Sequence, residues 1–253
     1  MSTMENINEQ YKSPPITEAI LDIRASLPSD VTIEHLLTYH EEIKNLYPEK
    51  EQRMSWTGGF EFKPGSAPKI AAPSGGPDGY FFRSPSNSKI VQFRRDGFTF
   101  NKLKPYAKWE ALRSEAKVHW ERYLQIARPY EVTRLALRYI NKIQIPLPFK
   151  DFKEYVLTIP DIAPGLPNAM SNMIMQLVIP NNQIDATANI TETIEPTKAG
   201  QSFLVFIFDI DVYRKVALKP DDGKIWAILE ELRVFKNQIF KKSLTDKCKE
   251  LFK

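Results

Sequence analysis

The residues able to do chemistry are few, and their spacing limits what that chemistry could be. Asp209 and Asp211 stand two apart in a run of β-branched and aromatic residues, so both project from one face of a strand. Such a pair can hold a divalent cation against a substrate phosphate, but no third acidic ligand is identifiable. His35, His40 and His119 are not spaced with one another or with Cys248 as metal ligands are, which argues against zinc. His40 falls on an apolar stripe and His119 adjoins Trp120, so both read as core-edge residues rather than bases. Cys248 shares a face with Leu244, Leu251 and Phe252 and reads as packing. Gly58-Gly59 and Gly75-Gly76 lack the strand-to-helix context of a phosphate-binding loop. These residues imply no metal or cofactor.

The strongest polar pattern is basic. Arg134, Arg138 and Lys142 recur every four residues along one predicted strand, on the side opposite Leu135, Leu137 and Tyr139, and Arg94 and Arg95 lie on another strand. If helices cover one side of the sheet only, these cations share its open side with Glu18, Asp22, Asp209 and Asp211. One reading is a cross-strand ladder of opposite charges, about 0.2–1 kcal/mol per pair. The other is an open, charged surface that binds a peptide, a partner protein or a nucleic-acid backbone. A nucleic-acid site calls for a more basic domain with aromatics among the cations, whereas most aromatics here lie on core stripes. A protein partner therefore ranks above nucleic acid, with Arg94, Arg134, Arg138, Lys142, Asp209 and Asp211 as the expected contacts.

Composition agrees with a folded, soluble chain. Its 253 residues are 42% hydrophobic and 26% charged, which excludes disordered, collagen-like and coiled-coil classes. No apolar run reaches the length of a membrane span, and residues 1–15 lack the apolar core of a signal peptide. A single cysteine permits no internal disulfide, so a cytoplasmic location is expected. The net charge of +4 conceals blocks: −5 over residues 1–64, +3 over 65–100, +7 over 101–153, −6 over 154–232 and +5 over 233–253. Such alternation either steers a partner or is neutralised between neighbouring segments.

The elements that must position these groups follow from periodicity. Residues 1–13 read as a loose arm, and Pro14-Pro15 stiffens the chain before a strand over Ile16–Leu27. A helix is predicted over Ile33–Tyr47, capped by Asp30 or Thr32. Glu51–Lys63 reads as a strand bent at Gly58-Gly59, and Pro64–Pro77 as a mobile loop. Short strands at Tyr80–Arg83, Ile90–Arg94 and Phe98–Asn101 precede the clearest helix, Lys108–Ile126. Then come a strand over Glu131–Ile145, a short helix over Phe149–Leu157, and strands over Met170–Ile179, Ile184–Ile194 and Ser202–Tyr213. A helix over Gly223–Phe240 and a last one over Ser243–Leu251, capped by Ser243, close the chain.

The two halves share one order, and landmarks recur at nearly one interval. Leu103-Lys104-Pro105 and Leu218-Lys219-Pro220 are 115 apart, Trp109 and Trp226 are 117 apart, and Pro28 and Pro146 are 118 apart. The expected fold is α+β: an arm over 1–15, then pseudo-repeats over 16–128 and 129–253, each strand, helix, three or four strands and long helix. Together they would form one curved antiparallel sheet with helices on one face, like the TATA-binding-protein saddle or a helix-grip sheet.

Several segments carry a family resemblance. Pro15-Ile16-x-Glu18-Ala19, Arg95-Asp96-Gly97-Phe98, Pro105-Tyr106 before Trp109-Glu110, the run from Arg134 to Asn141, Asp209-Ile210-Asp211-Val212 and Ser243-Leu244-Thr245-Asp246-Lys247 are similar to a sporadically distributed, functionally uncharacterised family of prokaryotic proteins of about 250 residues. The resemblance spans nearly the whole chain and transfers no catalytic residues. The family's patchy occurrence implies an accessory role, such as a toxin–antitoxin or phage-defence component. The expectation is a non-enzymatic interaction protein, with a nucleic-acid-binding module and an enzyme on a phosphorylated ligand as the alternatives.

Overall fold

Strand β1 (Ile16–Ser26) alternates buried Ala19, Leu21, Ile23 and Ala25 with Glu18, Ile20, Asp22 and Arg24. Successive side chains of a strand point to opposite faces, so one face of β1 is apolar and the other polar. It pairs with β7 (Gly97–Leu103) on one flank and β8 (Glu131–Pro146) on the other, Leu21 standing opposite Phe100 and Leu137. The remaining strands of this sheet are β2 (Glu49–Thr57), β5 (Ser74–Arg83), β6 (Lys89–Arg94), β9 (Met173–Asn181), β10 (Ala186–Glu195) and β11 (Phe203–Leu218). The nine form a single antiparallel sheet in the order β2-β5-β6-β7-β1-β8-β11-β10-β9. β3 (Phe60–Glu61) and β4 (Lys69–Ile70) make a separate two-stranded ribbon. This is a computed structural model, and it describes residues 11–57, 60–61, 69–70, 74–166, 172–198 and 200–253.

The apolar face is covered by helices. α1 (Ile33–Leu37) packs against β5 and β6, α3 (Trp109–Ala127) against β7, and α4 (Lys224–Ser243) against β8 and β11. The stripe Trp109, Leu112, Ala116, Trp120, Tyr123 and Ala127 recurs at helical spacing and is wholly buried. Trp109 Nε1 donates to Glu230 Oε2 at 2.6 Å, tying α3 to α4. Buried residues from both halves join in one core that runs under Phe93, Phe98, Leu137, Phe206 and Phe208. Among the described residues no helix is long and apolar enough to cross a membrane.

Several boundaries differ from the sequence expectations, each for a local reason. The helix expected over 33–47 is two short ones, α1 and α2 (Tyr39–Ile43). The Thr38 hydroxyl donates to the His35 carbonyl at 2.6 Å, and Thr38 N–H and Glu41 N–H make three-residue bonds that tighten the chain there. The segment 149–157 forms a single 3₁₀ turn at Phe152–Glu154, with the Asp151 side chain accepting from Lys153 N–H. The last helix, α5 (Asp246–Lys249), is capped by Thr245 and not by Ser243, which ends α4. Residues 69–70 and 74–77 of the expected loop lie in strands; the rest of that stretch, Gly58-Gly59 and residues 1–10 lie outside the described residues. Residues 11–13 are tied down: Ser13 N–H bonds the Phe252 carbonyl at 2.9 Å, and Tyr11 packs edge-on to Phe252.

Candidate functional site on the open face of the sheet

The polar side of β1 puts Asp22 at the centre of the sheet face away from the helices, opposite Thr99 of β7 and Ala136 of β8. Arg94 Nη2 and Thr99 Oγ1 donate to Asp22 Oδ2 at 2.7 and 2.8 Å, while Arg24 Nε and Arg134 Nη1 reach Oδ1 at 3.3 and 3.2 Å. Burial pushes this carboxyl up, but the Arg94 and Arg24 charges, the Thr99 hydroxyl and Arg134 outweigh it and hold the group below its ordinary value. Asp22 is therefore an ionised anchor on which three guanidiniums converge.

The network continues onto β11. Arg134 Nη2 reaches Asp211 Oδ2 at 3.2 Å, and its guanidinium lies 4.5 Å over the Tyr213 ring. Arg138 holds Asp209 with two parallel bonds from one edge, Nε to Oδ1 at 2.9 Å and Nη2 to Oδ2 at 2.5 Å. That hydrogen bond raises the guanidinium further above its usual value, whereas burial moves Asp211 upward. On the other flank Gln92 Nε2 donates to Asn101 Oδ1 at 2.8 Å, and Asn101 Nδ2 to Glu18 Oε1 at 2.7 Å. Together these side chains shape a groove of about 790 Å³ across β6, β7, β1, β8 and β11.

The sequence-derived contacts divide into three groups. Arg134, Arg138 and Asp211 line the groove, and Asp209 holds Arg138 at its rim. Arg94 also lines it, but at 4% exposure and committed to Asp22 it positions the face more than it presents a donor. Lys142 lies apart, beside Pro15, Thr17 and Lys104, with its ammonium on Glu195 at 2.9 Å. Arg95 is in the turn after β6 rather than on a strand, and its side chain is exposed. Sequence reasoning passed over Arg24, Asp96 and Lys215. Arg24 was detectable, being two residues from Asp22 on the same side; Lys215 lies beyond the expected end of β11.

His40 and His119 are buried elsewhere, while His35 is exposed on α1. His40 Nε2 donates to the Tyr47 carbonyl at 3.1 Å, its ring stacked on Phe82. His119 sits between Tyr39 and Tyr47 under the helices. Among the described residues no group of three or more His, Cys, Asp or Glu is placed to share a metal ion. Comparison with protein-family models, with curated proteins and with solved structures finds no match.

Proposed function

We propose that the chain is a non-enzymatic interaction module that takes a partner protein on the open face of its sheet. The carrying observation is the Asp22–Arg134–Asp211 and Arg138–Asp209 array around the groove. Each carboxylate grips one edge of a guanidinium, and the Arg138 side chain remains 47% exposed. A guanidinium has five N–H donors in a rigid fork, so the edge turned from Asp209 is aimed in advance at an incoming acceptor. Four of the groove's five cations, Arg24, Arg94, Arg134 and Arg138, are already ion-paired. A phosphate backbone binds by releasing counterions from unpaired cations, which this balanced face offers poorly. A protein surface carrying both signs fits it better.

The strand order supports a duplicated origin for the face. Reading outward from the β1–β8 pair gives β7, β6, β5 on one side and β11, β10, β9 on the other, with α3 and α4 closing the respective halves. We infer a two-repeat saddle of the TATA-binding-protein kind, with the groove at its centre.

The test is affinity capture from the native host with the double variant Arg138→Ala/Lys215→Ala. Wild type is expected to retain a defined polypeptide at fixed stoichiometry, and the variant to lose at least tenfold of it while melting within a few degrees of wild type. Equal capture by both would overturn the proposal. Capture of nucleic acid instead, falling steeply with salt, would replace the partner class.

A further inference from the structure

On the helix side of the sheet, away from the groove, α4 carries a lysine in an unusual setting. Lys236 is only 8% exposed, and its Nζ lies 3.8 Å from the centroid of the Tyr139 ring on β8. It borders a cavity of about 90 Å³ that Tyr106, Trp109, Asn141 and Phe240 also line. A water needs only about 10–15 Å³ of such space, so the cavity has room for a small organic molecule. Among the described residues no carboxylate lines it, and Lys236 makes no hydrogen bond or ion pair. The neighbouring Arg233 does have a counter-charge, with Nη1 on Glu230 Oε1 at 2.6 Å. Among the described residues the Lys236 charge is thus unmatched, beside a cavity lined by aromatic and polar side chains, and a buried ammonium is tolerated only when paired or neutralised.

We propose that this cavity binds a small monocarboxylic acid, its carboxylate on Lys236 Nζ and its apolar body among Trp109, Tyr139 and Phe240. The Lys236 ammonium is matched by one negative charge, which a carboxylate supplies and a phosphate, at roughly −1.5 to −2, exceeds. Aromatic walls favour an apolar body, and a few convergent polar groups among apolar ones are the usual make-up of a ligand site. The hydroxyls of Tyr106 and Tyr139 bond each other at 3.0 Å and hold the wall in place.

The amine's own state agrees with that role. Burial, with the Arg233 charge adding to it, lowers Lys236 to about 7. The other charged or titratable groups facing it are Lys241 on the same helix, Tyr139 on β8, Tyr106 in the connection before α3, and Tyr11 ahead of β1. Tyr106 is raised to about 12 and Tyr139 well above its ordinary value, both by burial, so neither ionises near neutrality. The ammonium is the form that attracts a carboxylate, so affinity should fall about 100-fold between pH 6 and pH 9.

The test follows the Lys236 side-chain signal by NMR in wild-type protein labelled with ¹³C-lysine. Acetate, butyrate and benzoate are added at millimolar concentration, with butyramide and inorganic phosphate as comparisons. At least one carboxylate is expected to move the Lys236 titration upward by about one pH unit or more, and butyramide and phosphate to leave it in place. No response to any of the three carboxylates, or an equal response to butyramide or phosphate, would overturn the proposal. Lys236→Met should abolish carboxylate-dependent thermal stabilisation; if that variant fails to fold, the wild-type titration decides alone.

Discussion

Arg94 and Asp22 meet at 2.7 Å although a whole strand, β7, lies between their own strands β6 and β1. On that intervening strand Gly97 stands in register between Arg94 and Arg24. The pair stitches three strands together on the open face. Removing one partner leaves the other charged and buried, so Asp22→Asn and Arg94→Met should each cost about 3–5 kcal/mol in urea unfolding. Asp22 has its carboxyl lowered on folding, so its contribution is present at neutral pH and is lost as pH falls below about 4 through the folded value. The Asn variant should show a shallower acid limb than wild type.

Gly97 itself is constrained twice. Its φ is +143°, outside what L side chains readily adopt, and a Cβ there would lie 2.2 Å from the Ile23 carbonyl oxygen. Gly97→Ala should destabilise by roughly 2–4 kcal/mol, measurable by thermal or urea unfolding.

The His119 cluster determines a tautomer. Tyr47 Oη donates to Glu115 Oε1 at 2.8 Å, so towards His119 Nε2, at 3.2 Å, it must accept. Nε2 therefore carries the proton, and Nδ1 accepts from Tyr39 Oη at 2.6 Å. Burial lowers this imidazole to about 4 despite Glu115. Nitrogen NMR should show the Nε2–H form unchanged from pH 5.5 to 8. A folded value below the unfolded one means His119 costs stability as pH falls from about 6.5 to 4, and His119→Phe should flatten that part of the profile.

Glu192 gives the opposite slope. It faces the core from β10, opposite Phe208 and Met175, is 1% exposed, and its Oε2 has no hydrogen-bond partner among the described residues. Burial raises it to about 7. The folded state therefore holds a proton that the unfolded chain releases near 4.5, so stability falls as pH rises from about 4.5 to 7 and stays lower above it. Glu192→Gln should stabilise the protein at pH 8 by on the order of 2 kcal/mol and change little at pH 4, as read by urea midpoints at the two pH values.

Much of the architecture was legible because it is written locally. β1, β8 and β11 alternate apolar and polar residues, and α3 and α4 carry apolar stripes at helical spacing, so each element announces its buried face. Weaker signals failed where a side chain competes with the backbone, as Thr38 does in breaking the expected 33–47 helix. The open face was partly legible: Arg134, Arg138, Asp209 and Asp211 could be placed on one side of two strands. That Arg94 would be buried could not be read, because its burial depends on reaching Asp22 over an intervening strand. Lys236 gave no sign at all, standing in α4 as one lysine among several.

The sequence by itself determined which residues lie on which face of each strand and helix, because that follows from backbone geometry of period two or 3.6. Tertiary structure alone decided the pairings: which guanidinium meets which carboxylate, which histidine nitrogen holds a proton, and which lysine has no counter-charge among the described residues. Those outcomes depend on strand order and register between residues as far apart as Asp22 and Asp211, whose separation along the chain carries no local signal.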